Sequence, residues 1–141
     1  MRLSQETDYA VRMVVVLASA HAQNVDAMGA SAIGEQACIP RPTALKVLRM
    51  LKDSGIVRST MGAGGGYRLA RDPQSIDLRQ VIEAIEGKIE ISRCLCAEYE
   101  CSRTGTKHER CRFHKIYKRL NDKLVGELEK VTFGCAENGG D

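Results

Sequence analysis

Cys94, Cys96, Cys101 and Cys111 crowd between positions 94 and 111, and His114 stands three residues after the last of them. These are four of the chain's six cysteines. Thiols packed this densely are prone to oxidation, and packing alone rarely places them. Their soft thiolates suit iron, iron–sulfur clusters or zinc. Cys111-x2-His114 behind upstream cysteines also fits a tetrahedral zinc site, so spacing alone serves zinc as well as a cluster. Cys38 and Cys135 stand apart and read as structural or surface thiols, although Cys38 falls in a turn where a thiol is a conceivable redox handle.

A second group of residues has chemistry of another kind. Pro40 to about Ser54 reads as a helix, with Leu45, Leu48, Met50 and Leu51 among its apolar positions and Arg41, Lys46, Arg49 and Lys52 as its charges. A short helix from about Ser31 to Ala37 precedes it across the turn Cys38-Ile39-Pro40. Two short helices with a tight turn between them, the second one basic, form a helix-turn-helix pattern. Ile56–Thr60 then reads as a strand, Gly62-Ala63-Gly64-Gly65-Gly66 as a turn, and Tyr67–Ala70 as a returning strand. A hairpin in this place is a wing, whose glycines permit positive backbone dihedrals and close approach to another backbone. A nucleotide-binding loop is the rival for the glycines. It fails because the third glycine of G-x-G-x-x-G would fall on Tyr67, no long helix follows and no G-K-[ST] appears.

Other elements must hold these groups in place. Ser4 to about Ala22 reads as a helix, capped by Ser4 or Thr7, with Ala10, Val11, Val14, Val15, Leu17 and Ala18 on its buried side. Asn24–Gly29 is expected as a loop. Asp77 is placed to cap a helix over Leu78–Glu86, which Gly87 ends. A long helix from about His108 to Phe133 carries Ile116, Leu120, Leu124, Leu128 and Val131 in a narrow stripe. Such a stripe usually pairs with another helix, here that of a second copy. The expected fold is mostly α with a small β-hairpin wing: a winged helix-turn-helix over residues 1–75, then residues 76–141 with a cysteine loop (about 92–112), the long dimerisation helix (about 108–133) and a flexible tail.

The charge agrees with a nucleic-acid partner for the first half. Residues 1–75 hold 9 Lys+Arg against 6 Asp+Glu, a net of +3, and residues 76–141 hold 12 against 12, a net of zero. Glu6, Asp8 and Arg12 argue against a signal peptide, and no apolar run reaches membrane-spanning length. The chain is expected in the cytoplasm, with its thiols reduced. No nucleophile–base pair or phosphate loop marks an enzyme.

Several segments carry a family resemblance: Met1-Arg2-Leu3-Ser4, Asp8-Tyr9-Ala10-Val11-Arg12, the helix pair through Leu51, Gly64-Gly65-Gly66-Tyr67 and Ser92-Arg93-Cys94. From residue 1 to about 133 the chain resembles the winged helix-turn-helix iron–sulfur regulators of the IscR, NsrR and RirA type. The resemblance implies a homodimeric transcription regulator on double-stranded DNA with a cluster, 2Fe-2S or 4Fe-4S, in each subunit. It implies sensing of iron, cluster status, nitric oxide or redox state, and a sister branch without a cluster regulates cysteine metabolism. Cys94, following Ser92-Arg93, matches the first ligand, and Cys101 and Cys111 match the second and third. The intervals depart from the family's, with six residues between Cys94 and Cys101 and nine between Cys101 and Cys111. The fourth ligand in one branch is an N-terminal carboxylate from the partner subunit, which Asp8 matches. In another it is a histidine three residues after the last cysteine, which His114 matches. Cys96 is an extra thiol that remains a third alternative.

By the same resemblance Arg41, Thr43, Lys46 and Arg49 face the DNA, with Arg41, Thr43 and Lys46 nearest the bases. Ser59, Thr60, Gly62, Ala63 and Gly64 lie along the backbone or minor groove. Met61 stands where the family often has an arginine, and Arg58 or Arg68 is expected to compensate. A dimer implies a near-palindromic operator with half-sites ~10 bp apart. The competing readings are a winged-helix regulator with structural zinc or a thiol–disulfide switch and no cluster, and a protein-interaction module that does not bind DNA.

Overall fold

The computed structural model describes residues 2–105 and 108–135. Helix α1 (Gln5–Ala22) begins at Ser4, whose hydroxyl accepts the Thr7 backbone N–H at 3.2 Å. Ala10, Met13, Val14, Leu17 and Ala18 form its buried arc. The expected inward position of Val15 is corrected. It lies about 140° round the helix from Ala10 and is exposed, while Met13 takes the place facing the core. Val11 is half-buried at the edge of the arc.

Helix α2 (Ala30–Ala37) and helix α3 (Arg41–Asp53) meet at a turn that Cys38 closes in the left-handed region, φ 57°. The Ile39 N–H donates to the Gly34 carbonyl at 2.8 Å. A Cβ on Gly34 would sit 2.8 Å from the Ile39 carbonyl oxygen, so the turn is this tight only with glycine there. Ala44, Val47, Leu48 and Leu51 bury one face of α3. Leu45 is exposed rather than in the core, because it lies one residue, about 100°, round from Ala44.

Strands β1 (Val57–Thr60) and β2 (Gly66–Leu69) pair antiparallel, Val57 opposite Leu69 and Thr60 opposite Gly66. The segment expected as a plain loop after α1 also contributes to this sheet. Met28 exchanges two backbone hydrogen bonds with Tyr67, at 2.9 and 2.7 Å, as a one-residue third strand. A Cβ on Gly66 would meet the Met28 carbonyl oxygen at 2.5 Å, which fixes glycine there as well.

Helix α4 (Leu78–Glu86) starts with a capping box between Asp77 and Gln80. Val81 and Ile82 enter the core. Helix α5 runs over Arg112–Lys130, preceded by a 3-10 turn at His108–Arg110. It is shorter than the expected 108–133, because the chain turns extended at Val131. There the Leu78 N–H donates to the Val131 carbonyl (2.8 Å) and the Phe133 N–H to the Ile76 carbonyl (3.0 Å). Phe133, 5% exposed, joins the same core as α1, α3 and the hairpin. The expected tail at 136–141 lies outside the described residues.

Candidate functional site

The helix-turn-helix presents a basic face because most of its apolar positions, Ala44, Val47, Leu48 and Leu51, are spent on the other, with Leu45 left exposed. Arg41, Lys46 and Arg49 are exposed on α3 and Thr43 is half-buried. The first turn of α3 has no acidic residue. Lys46 is ion-paired with Glu6 at the start of α1, whereas Arg41 and Arg49 have no carboxylate partner among the described residues. In the wing, Thr60 and Gly62–Gly64 are exposed and Ser59 is half-buried. Met61, 99% exposed, is its most projecting side chain. Arg58 and Arg68, expected to compensate for the missing tip arginine, lie back from the tip. They face each other across the hairpin, two pairs behind Thr60 and Gly66, and at ~3.3 Å per residue Arg58 sits ~10 Å behind the tip along the strand.

The thiol loop is tied to α5 by one side chain. Asn121 accepts the Ile91 N–H through Oδ1 and donates Nδ2–H to the Ile89 carbonyl, both at 3.0 Å. Beyond this clamp, Arg93–Leu95 forms a 3-10 turn, and Ser92 Oγ lies 3.3 Å from Cys94 Sγ. Cys101 and Gly105 exchange backbone hydrogen bonds at 3.2 and 2.7 Å around a tight turn. The Cys101 thiol pKa is lowered, first by the Arg103 backbone N–H, then by the nearby Thr104 side chain and backbone, and by the Arg103 charge. A lowered pKa raises the thiolate fraction, the form that binds metal.

Cys111 is the N-cap of α5 and its side chain makes no capping bond. Cys94, Cys96, Cys101 and Cys111 are all half-buried free thiols. Behind Cys111 the rings of Tyr99, His108 and His114 stack in sequence, with centroids 6.4 and 5.2 Å apart. His108 Nε2 bonds the Tyr99 carbonyl oxygen at 2.9 Å. His114 Nδ1 is buried with no hydrogen-bond partner among the described residues, an unspent donor or acceptor. Asp8 is exposed on the first turn of α1, ion-paired with Arg12 at 2.7 Å.

The donor types suit a thiolate-bound iron–sulfur centre or zinc. Their placement does not close a coordination sphere in this conformation: among the described residues no three His, Cys, Asp or Glu side chains come together as metal ligands. The loop thus brings the sequence-predicted cysteines and His114 into one region without bringing them to one point. Glu6 as the partner of Lys46 was invisible in the sequence, since forty residues separate the pair. No helix among the described residues is long and apolar enough to cross a membrane.

The chain is similar to known regulators over nearly its whole length. It is 30% identical over 136 residues to the HTH-type transcriptional regulator IscR of Escherichia coli O1:K1 / APEC, covering 95% of this chain and 78% of that protein. The fold matches IscR of T. potens with a TM-score of 0.72 at 20% identity, over 99% of this chain and 89% of that one. It matches CymR (YrzC), the global cysteine regulator of B. subtilis, with a TM-score of 0.72 at 19% identity over 99% of both. The profile described as "Rrf2: Iron-dependent Transcriptional regulator" matches residues 3–135. The chain belongs to the Rrf2 family of winged-helix transcription regulators, and is a regulator rather than an enzyme.

Proposed function

We propose that this regulator works as a homodimer on a near-palindromic operator, and that an iron–sulfur cluster held by Cys94, Cys101 and Cys111 sets its DNA affinity. The observation that carries the DNA half is the exposed Arg41, Lys46 and Arg49 on a helix whose opposite face is wholly buried. Alanine at Lys46 or Arg49 tests it, with circular dichroism as the control for folding. Loss of a base-reading contact weakens operator binding about 5- to 150-fold. Unchanged affinity in both variants would place the DNA contact elsewhere, and absence of operator binding by the wild type would favour a protein-interaction module.

The cluster half is supported by the donor set. When bound, the cluster supplies a redox- and ligand-sensitive iron centre. The chain's own residues supply transmission. Asn121 clamps the thiol loop to α5, a rod of 19 residues and ~28 Å. The far end of α5 is joined to the reading head through Val131–Phe133. A shift of the loop therefore moves a helix whose other end is fastened beside the DNA-binding elements. For the fourth ligand, the unpartnered His114 Nδ1 favours His114 over Asp8 of the partner subunit, because Asp8 would first have to give up Arg12. Zinc on Cys94, Cys101, Cys111 and His114 is the second reading, and the same orphaned nitrogen favours it.

A further inference from the structure

A cavity of about 340 Å³ opens between the C-terminal half of α1, the segment that follows it and the base of the wing. Leu17, Ala20, Val25 and Leu69 give it an apolar wall, and Arg58, Arg68 and Arg71 a cationic one. None of its lining residues comes from α3, and the wing tip, Met61–Gly64, takes no part.

The arginines are arranged against their own stability. Arg58 and Arg68 are directly opposite on paired strands, where like charges destabilise a hairpin. Neither has a carboxylate partner among the described residues. Arg68 Nε is buried without a hydrogen-bond partner among the described residues, so only the terminal nitrogens of Arg68 can meet an occupant of the cavity. A buried guanidinium N–H left unpaired is costly and rare, and it calls for an explanation. Arg71 is different, because its guanidinium is occupied by the Ser75 carbonyl at 2.7 Å and by Gln80.

We propose that this cavity binds a small anion bearing a carboxylate or phosphate group, held by Arg68 and Arg58 with its carbon body against the apolar wall. Guanidinium donors match both anions in geometry and charge. The size falls within the range of small-molecule sites, ~300–1,000 Å³. A recess set back from α3 and the wing tip, and rimmed by Asp26 and Asp72, suits a small molecule better than the DNA backbone. An occupant would brace the hairpin against the Met28 segment, and so set the angle of the wing.

The test is isothermal titration of the full chain with inorganic phosphate and with succinate, at constant ionic strength in chloride, for the wild type, Arg68→Gln and Arg58→Gln. The wild type should bind at least one probe saturably, and Arg68→Gln should bind it about tenfold more weakly or worse. Thermal unfolding without ligand should find Arg68→Gln at least as stable as the wild type, since a like-charge pair is removed. Absence of saturable binding by either probe, or equal binding by all three proteins, overturns the proposal. If neither probe binds and Arg68→Gln weakens operator binding instead, the pair is a DNA-phosphate clamp and the proposal is likewise overturned. The anion readout contains no DNA, so it stands or falls apart from the operator reading.

Discussion

Glu86 is the residue on which the N-terminus rests. Its carboxylate accepts the Ser4 N–H at 2.7 Å and the Thr7 hydroxyl, and Thr7 is the one fully buried polar side chain among the described residues. These bonds favour the charged form, first through Thr7 and then Ser4, so the Glu86 pKa is lowered. A carboxylate whose folded pKa is depressed stabilises the fold above its unfolded pKa, and that stability is lost as pH falls through the folded value. Glu86→Gln should therefore lower the melting temperature at neutral pH, with the gap to wild type closing as pH drops below the ordinary glutamate range. Melting curves across that range check this, and a gap that stays constant would mean that the charge is immaterial. The Ser4 cap was legible from a serine before a helical pattern. The role of Glu86 was not, because its partners are eighty residues away and nothing local marks it. The same holds for Lys46 and Glu6. By contrast the cysteines stood out by their spacing in the sequence, but whether they meet at one point depends on the fold, and among the described residues they do not.

At the level of elements, the sequence located every helix and both strands, because their periodicities and caps are local. It misplaced the end of α5. The pattern of Leu120, Leu124 and Leu128 runs on to Val131, and nothing nearby announces that residues 131–133 leave the helix to pair with Ile76–Leu78. That pairing is a tertiary event, and it explains why Phe133 is buried while much of α5 is exposed. It is also one of the ties that hold the far end of α5, beside the bond of Arg79 on α4 to Glu129. Phe133→Ala should cost about 3–5 kcal/mol of stability, the usual loss for a buried phenylalanine. Chemical denaturation measures this. A loss below ~1 kcal/mol would show that the return segment is not part of the core.

At the scale of the whole molecule, the isolated chain leaves Phe113, Tyr117, Leu120 and Leu124 exposed along α5, and Val131 exposed just past its end. A second copy laid against this face would cover them, as the narrow stripe in the sequence anticipates. Leu120→Asp with Leu124→Asp should leave the monomer's fold intact, because both sites already face solvent, yet halve the mass found by sedimentation. An unchanged mass would place the dimer contact elsewhere. In the proposed dimer the pairing also sets the spacing of two reading heads, so a modest shift at the thiol loop has a large lever. The coupling required is only ~1–3 kcal/mol.

The most direct test of this account is the operator affinity of anaerobically purified protein before and after cluster removal, with iron and acid-labile sulfide counted in the same sample. Coloured protein with iron and sulfide in near-equal amounts, and an affinity that changes about 5- to 150-fold on removal, is the predicted result. Colourless protein that carries zinc, resists cluster reconstitution and binds the operator equally before and after chelation would contradict it.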